Sequence, residues 1–146
     1  MSRPGFAPRL DRTFDPSPRA PFEARRAVEE LAAELDLAHS QDLALLRDTQ
    51  LLVSELVTNS VRHSGSASPI RLRAWVRDRG VRLEIADGGF GFEADSPGGA
   101  SEAESGRGLL ILEALTDRWG ISRDGQTRVW FELSRPRGSA VSRQTA

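Results

Sequence analysis

The chain is predicted to form a two-layer α/β sandwich, in which a mainly antiparallel sheet is covered on one face by three helices. Apolar residues recur at helical spacing in three segments and alternate with polar residues in two pairs of shorter segments. These segments follow one another as helix, helix, hairpin, loop, helix, hairpin. A length of 146 residues suits a single hydrophobic core.

The charged residues exclude several classes of function. All 20 basic residues are arginine, and 21 acidic residues give a net charge of −1. This balance argues against direct nucleic-acid binding, which usually needs a basic excess. Walker-type phosphate loops and protein-kinase active sites each place a lysine on the phosphates, so the absence of lysine excludes both. A nucleotide would have to be held by backbone amides, arginine and a metal.

Other residue types indicate a cytoplasmic protein without a membrane segment. Cysteine is absent, and the two histidines, His39 and His63, are too few for a usual zinc site. No apolar run approaches the ~20 residues of a membrane span. The N-terminal sequence MSRPGFAPRL also lacks the apolar centre of a signal peptide.

The N-terminal residues 1–20, rich in proline, arginine and serine, are expected to form a mostly flexible arm. Residues 9–14 of this arm can add an edge strand. The first helix is predicted from residue 22 to about 37, with Pro21 suited to its first turn. The Arg25-Arg26 pair on its polar side is either a solvated face or a docking surface for a partner.

The second helix is predicted from the N-cap Ser40 to His63. It contains the stretch SELVTNSVRHS, in which Glu55, Asn59 and His63 are four residues apart and share one edge of the helix. Unpaired polar groups buried along that edge would each cost about 1–3 kcal/mol. On the helix alone, hydrogen bonds to the neighbouring backbone would explain these side chains.

Two hairpins and a third helix complete the predicted domain, which spans residues 21–134. In the first hairpin, Asp78-Arg79-Gly80 is predicted to form a three-residue turn with Gly80 at a positive φ. In the second, Asp124-Gly125 is the turn signal. The third helix is expected over about 107–117, and the tail 135–146 is expected to be disordered.

Two glycine-rich motifs flank the loop between the first hairpin and the third helix. In DGGFGF, Asp87 ends a strand and can accept a hydrogen bond from an exocyclic amine, while Gly89 and Gly91 leave the backbone accessible to a ligand. Gly106-Arg107-Gly108 opens the third helix, where free amides suit phosphates. Either motif alone is also typical of an ordinary turn or helix entry.

Taken together and in this order, these motifs resemble the histidine-kinase-like ATPase superfamily, the group of gyrase, Hsp90, MutL and histidine kinases. ELVTNSVRHS resembles its N box, DGGFGF its first glycine box and GRGLLILEAL its second. The resemblance covers about residues 19–133. It is closest to the single-domain anti-sigma-factor serine kinases of SpoIIAB and RsbW type, which include stand-alone ATP-binding regulators of actinobacteria.

This resemblance implies a site for ATP and Mg²⁺. Asn59 would bind the Mg²⁺, Glu55 would be the general base, and Asp87 would hold the adenine amino group. His63 would be either a polar contact to the nucleotide or a core histidine. The remaining implied nucleotide-binding residues lie in the glycine boxes and the last strand: Gly89, Gly91, Gly106, Arg107, Gly108, Leu109 and Thr127. The segment between Phe92 and Ser105, short and acidic, corresponds to the ATP lid.

Thr127 departs from the family pattern, in which a threonine supporting the adenine-binding aspartate stands one residue closer to the VWFEL strand. Here Arg128 occupies that place. Because strand side chains alternate between faces, a shift of one residue turns a side chain away. The sequence therefore predicts either a bulge that restores Thr127 or weakened adenine recognition.

The function implied by the resemblance is that of a regulatory ATP-dependent protein serine kinase. Such a kinase binds a sigma factor, phosphorylates an anti-sigma-factor antagonist, or does both, and related kinases commonly form homodimers. The alternative is a non-catalytic binding module, in which ATP orders the lid and selects a partner without phosphoryl transfer. The presence of Glu55 favours catalysis.

Overall fold

The computed structural model describes residues 6–35, 40–63, 68–77, 80–88, 108–123 and 125–134. Within these ranges the chain forms five strands and three helices. In chain order they are β1 (Leu10–Phe14), α1 (Ala20–Glu34), α2 (Ser40–His63), β2 (Ile70–Arg77), β3 (Gly80–Asp87), α3 (108–115), β4 (Arg118–Ser122) and β5 (Thr127–Ser134).

The five strands form one sheet in the order β1-β2-β3-β5-β4, and every neighbouring pair is antiparallel. Because β5 pairs with both β3 and β4, the second hairpin joins the sheet through its later strand. The helices cover one face of this sheet. The predicted two-layer α/β sandwich with a mainly antiparallel sheet is confirmed.

The core lies between α2 and the covered face of the sheet. Leu52, Leu56 and Val57 of α2 are fully buried, as are Leu83 of β3 and Phe131 of β5. Alternate strand residues point to this core, so the period-two pattern of the sequence sets which face is covered.

The helix boundaries differ slightly from the predicted ones. Helix α1 begins at Ala20, after a turn in which the Ala20 amide donates to the Ser17 carbonyl, and Pro21 lies in its first turn as expected. It ends at Glu34 rather than near residue 37. Helix α3 ends at residue 115, because the Asp117 amide donates to the Glu132 carbonyl of β5 instead of continuing the helix.

The first hairpin differs from the predicted three-residue turn. Arg77 pairs with Gly80, so Gly80 belongs to β3, and its φ is not positive. A Cβ at Gly80 would overlap the Leu133 carbonyl oxygen and lie 2.7 Å from the Ser134 Cα. Close approach to β5 therefore requires glycine there. In the second hairpin, Gly125 has the positive φ, at 80°.

The sheet face opposite the helices carries a buried network of arginine and glutamate. Glu84 is 1% exposed and accepts a hydrogen bond from Arg73, while Arg128 Nε lies 3.4 Å from its Oε1. Arg82, 2% exposed, donates to Glu132 at 3.0 Å. Alternation predicts a polar face, but these charges are far less exposed than a solvated face requires.

Trp130 helps to cover this network. Its ring lies 4.4 Å from the guanidinium of Arg82, in cation–π contact, and it also crosses the neighbouring strand over Gly120. A Cβ at Gly120 would be 2.6 Å from the Trp130 Nε1. Glycine on β4 thus lets the indole lie flat against the sheet.

Strand β1 forms one edge of the sheet, as residues 9–14 predict, and charged pairs help to fix it. Arg71 of β2 donates two hydrogen bonds to the carboxylate of Asp11, at 2.8 and 2.7 Å. Arg12 donates to Glu30 of α1 at 2.9 Å. Both pairs are half-exposed, so each contributes modestly to stability.

The pair between Asp11 and Arg71 predicts a small, pH-dependent stabilisation. The hydrogen bonds from Arg71 lower the pKa of the Asp11 carboxyl below its ordinary value of 3.8. A lowered pKa stabilises the folded state above that value and ceases to do so as the pH falls through the folded pKa. Asp11→Asn should therefore lower the free energy of unfolding by at most about 1 kcal/mol at neutral pH. Urea denaturation should show that the difference in free energy of unfolding between the wild type and Asp11→Asn shrinks below about pH 3.8. A difference that stays equal in acid would contradict a stabilising role for the Asp11–Arg71 pair.

Candidate functional site

The polar edge of α2 presents a buried carboxamide. Asn59 is 5% exposed, and its Nδ2 has no hydrogen-bond partner within the described part of the chain. Buried polar groups without a hydrogen-bond partner are rare in folded proteins. The unpaired Asn59 Nδ2 can therefore donate a hydrogen bond to a ligand. Glu55 lies one turn earlier and is half-buried. Neighbouring positions on this edge are about 5–6 Å apart at Cβ, so both side chains can contact one bound molecule.

Asp87 and Thr127 form the second part of the site. They are directly opposite each other on β3 and β5, and they are 2% and 3% exposed. The pairing of these strands is regular from Gly80 to Asp87. Thr127 shares its face with Val129 and Phe131, which is the face that carries Asp87.

This register corrects the expected bulge at Thr127, while the strength of adenine recognition stays a prediction. No bulge interrupts the described β3–β5 pairing, and none is needed, because Thr127 already lies opposite Asp87. The expected loss of support assumed that the threonine must stand where Arg128 is. Arg128 instead points to the opposite face, where its Nε lies near Glu84.

Topology brings the α2 edge to the same end of the sheet as Asp87 and Thr127. Ile70 pairs with Asp87, which pairs with Thr127, so these three residues form one row across the sheet. Helix α2 ends at His63, and only six residues separate it from Ile70. The C-terminal end of α2 therefore leads directly into this row, and Asn59 lies one turn before that end.

Gly88 was not among the predicted site residues, yet packing constrains it. A Cβ there would be 2.6 Å from the Ser68 Oγ. Gly88 thus lets the chain leave β3 closely against the segment that enters β2. The doubled glycine after Asp87 was the available signal, but the sequence did not identify Ser68 as its neighbour.

The second glycine box is only partly described. Gly108 is the first described residue of α3 and is buried, and Leu109 is half-buried against the core. Their predicted roles at a nucleotide stay predictions. The other residues predicted for the site lie outside the described residues, or have side chains that do: Gly89, Gly91, Gly106, Arg107 and the His63 side chain. The lid between Phe92 and Ser105 and the tail 135–146 also lie outside them.

The described residues are compatible with a metal held mainly by a ligand's own groups. In the described ranges, no three His, Asp or Glu side chains are grouped to hold a metal ion. Mg²⁺ commonly takes one protein oxygen or two and completes its coordination with phosphates and water. The side-chain oxygen of Asn59 is a ligand of the type that suits such a role, whereas its unpaired Nδ2 can only donate a hydrogen bond.

The length and apolar character of the helices were compared with what a membrane-spanning helix needs. Among the described residues, no helix combines the length and the apolar character that a membrane crossing requires.

Comparison with known proteins identifies several similar chains. An uncharacterised protein of Streptomyces coelicolor is 33% identical over 78 residues, which are 52% of this chain and 74% of that protein. A crystal structure of the RsbU and RsbW domains of a Mycobacterium tuberculosis protein matches 87% of this chain with 25% identity and a TM-score of 0.61. This chain spans only 33% of that one. The catalytic domain of the histidine kinase ThkA matches 86% of this chain at 17% identity, with a TM-score of 0.48, over 96% of its own length.

The family comparison covers nearly the whole described region. The sequence-family model for the histidine kinase-like ATPase domain matches residues 14–133 of this chain. This range runs from the last residue of β1 to the penultimate residue of β5. That range contains the α2 edge and the Asp87–Thr127 pair. The chain therefore belongs to the histidine kinase-like ATPase domain family.

Proposed function

We propose that this chain is an ATP-dependent protein serine kinase of the anti-sigma-factor type, which binds a sigma factor, phosphorylates an anti-sigma-factor antagonist, or does both. Membership of the ATPase family implies that it binds ATP. Similarity to a structure that contains an RsbW domain supports the regulatory assignment. The serine-kinase activity and both partners are the proposed steps.

The observation that carries the proposal is the placement of two polar groups at one end of the sheet. Asp87 and Thr127 are buried opposite each other, which suits recognition of a base by hydrogen bonds. Glu55 and Asn59 lie in the C-terminal half of α2, the helix whose end leads into that row of the sheet. A carboxylate and a carboxamide one helical turn apart can serve the phosphate end of the same nucleotide.

The proposed reaction uses Glu55 as the base. Its carboxylate accepts the proton of the acceptor serine hydroxyl as the serine oxygen forms a bond to the γ-phosphorus of ATP. The bond between that phosphorus and the β,γ-bridging oxygen breaks, and ADP leaves. Phosphoserine, ADP and a protonated Glu55 result, and the proton passes to solvent.

Asn59 is the residue that would hold Mg²⁺ in this site. When bound, Mg²⁺ supplies neutralisation of the phosphate charge. The Asn59 Nδ2, which has no partner within the described residues, can donate to a phosphate oxygen and so fix the phosphates relative to Glu55. Its burial restricts the side chain, so the phosphate end is positioned before the acceptor arrives.

Asn59→Ala is predicted to weaken Mg-ATP binding. The variant removes a polar group next to charged phosphates, and such interactions contribute about 1.5–3 kcal/mol. The affinity measured by titration calorimetry should fall on the order of 10–100-fold. A suitable control is Thr58→Ala, because the Thr58 hydroxyl donates to the Ser54 carbonyl of the same helix at 2.6 Å. Unchanged affinity in Asn59→Ala would remove Asn59 from the site.

The proposed function is tested by partner capture followed by phosphotransfer. The chain would be immobilised, incubated with cell extract with and without Mg-ATP, and the recovered proteins incubated with γ-labelled ATP. We expect label on a serine of a recovered protein. If ATP changes the partners but no label moves, the chain is a nucleotide-gated binding module instead. If ATP neither binds nor changes the partners, both functions are wrong.

A further inference from the structure

A groove with a volume of about 410 Å³ lies between the outward faces of α1 and α2. It is separate from the Asp87–Thr127 pair. Phe22, Arg25 and Arg26 line it from α1, and Arg47, Leu51 and Ser54 line it from α2. We call this surface the α1–α2 groove.

The residues that line the groove carry a net positive charge. Three arginines line it against a single acidic residue, Glu29. Within the described ranges, none of Arg25, Arg26 and Arg47 forms an ion pair. Arg12, by contrast, is neutralised by Glu30 of α1. The groove therefore has three guanidinium groups available for a ligand.

The groove also exposes apolar side chains and is held in shape. Phe22 and Leu51 are each 47% exposed, which is unusual for large hydrophobic residues. The Arg25 guanidinium lies 6.0 Å from the centre of the Phe22 ring. The Gln50 Nε2 donates to the Arg25 carbonyl at 3.3 Å and so links the two helices. Apolar anchors next to arginines are typical of a protein-binding surface.

We infer that the α1–α2 groove docks an acidic, amphipathic segment of a protein partner. Charge complementarity calls for aspartate or glutamate on that segment, and Phe22 and Leu51 call for apolar side chains between them. Glu29 and the apolar anchors make the groove unsuited to a phosphate backbone, and the net charge of −1 agrees.

The position of the groove connects docking to chemistry. Ser54 lines the groove and immediately precedes Glu55, and Leu51 lies one helical turn before Glu55. A segment docked here brings the adjoining part of its protein to the edge of α2 that carries Glu55. The inference rests on the proposed function for the identity of the partner as the phosphate acceptor, while the docking itself needs neither ATP nor Glu55.

The test uses a fluorescent helical peptide with two leucines one turn apart, flanked by glutamates, and a second peptide with every glutamate replaced by lysine. Without nucleotide, the acidic peptide should bind at least tenfold more tightly than the basic one. Arg25→Glu with Arg26→Glu, and separately Arg47→Glu, should each weaken acidic-peptide binding at least tenfold. Arg123→Glu, an exposed charge-matched control on the second hairpin, should change it less than about twofold.

Several results would overturn the inference. These are equal binding of the two peptides, no binding of the acidic peptide at about 1 mM, or loss of affinity in Arg123→Glu as large as in the groove variants. Displacement of the peptide by a short DNA duplex would assign the groove to nucleic acid. Self-association in sedimentation that Arg47→Glu abolishes would assign it to a second copy of the chain. The peptide assay contains no ATP, so a negative result would contradict docking without contradicting the kinase activity. The kinase activity is tested separately by the phosphotransfer experiment with γ-labelled ATP.

Discussion

Replacing Glu84 with alanine is expected to lower the free energy of unfolding by about 3 kcal/mol. Glu84 is 1% exposed and is paired with Arg73, which is itself mostly buried. Its Oε2 also lies 3.9 Å from the Arg82 Nη2, and the Arg82 side chain is 2% exposed. Removing one member of a buried charge network leaves the others without their counter-charge in a poorly solvated place. That loss is much larger than the loss of a surface pair.

Urea denaturation of the wild type and Glu84→Ala would measure this effect, and the melting temperature should fall by roughly 6–12 °C. Asp11→Asn is the matched control, because Asp11 also pairs with an arginine but is 37% exposed. Glu84→Gln keeps the shape and should fall between the two. A loss in Glu84→Ala no larger than in Asp11→Asn would mean that the network is solvated in solution.

Glu55→Gln is expected to lower phosphoryl transfer by 10²–10⁴-fold, the usual contribution of a general base. Glutamine has the same size and cannot accept the serine proton. ATP affinity should change less than about threefold, because the proposed base acts on the acceptor rather than holding the nucleotide. The variant therefore separates binding from chemistry.

The measurement is single-turnover transfer from γ-labelled ATP to the recovered acceptor, with ATP affinity determined in parallel. Glu34→Gln, an exposed acid at the end of α1, is the control and should transfer at the wild-type rate. Equal rates in Glu55→Gln and the wild type would exclude Glu55 as the base. Lost ATP binding in Glu55→Gln would instead place Glu55 among the groups that hold the nucleotide.

Periodicity in the sequence predicts most of the fold because α2 and the strands each bury one regular face. Leu52 and Leu56 recur at helical spacing, and Leu83 and Ile85 alternate with polar residues, so local pattern and final burial agree. The end of α1 is less predictable. Leu35 continues the apolar spacing, but it caps the helix.

Cross-strand register is what the sequence could not provide. Thr127 looked displaced when counted along its own strand, and only the pairing of β5 with β3 places it opposite Asp87. The burial of Glu84 has the same origin. An alternating strand predicts a polar face, but the covering of that face depends on the positions of Arg82 and Trp130 relative to each other.

Only part of the α1–α2 groove could be predicted from the sequence. Arg25 and Arg26 are visible in the sequence as a pair near a helix start. The contribution of Arg47 and Leu51 depends on how α2 packs against α1, which local spacing does not determine. Residues distant in sequence that share one surface are therefore identified only once the helices are placed.

The central claim is that Asp87 and Thr127 recognise adenine at the end of the sheet into which α2 leads. The most direct measurement is calorimetric titration of the wild type and Asp87→Asn with Mg-ATP and Mg-GTP. A carboxylate accepts from the amino group of adenine and repels the oxygen that guanine has at that position. The wild type should prefer ATP by at least about tenfold, and Asp87→Asn should lose most of that preference. Equal binding of the two nucleotides by the wild type, or an unchanged preference in a folded Asp87→Asn, would contradict the claim.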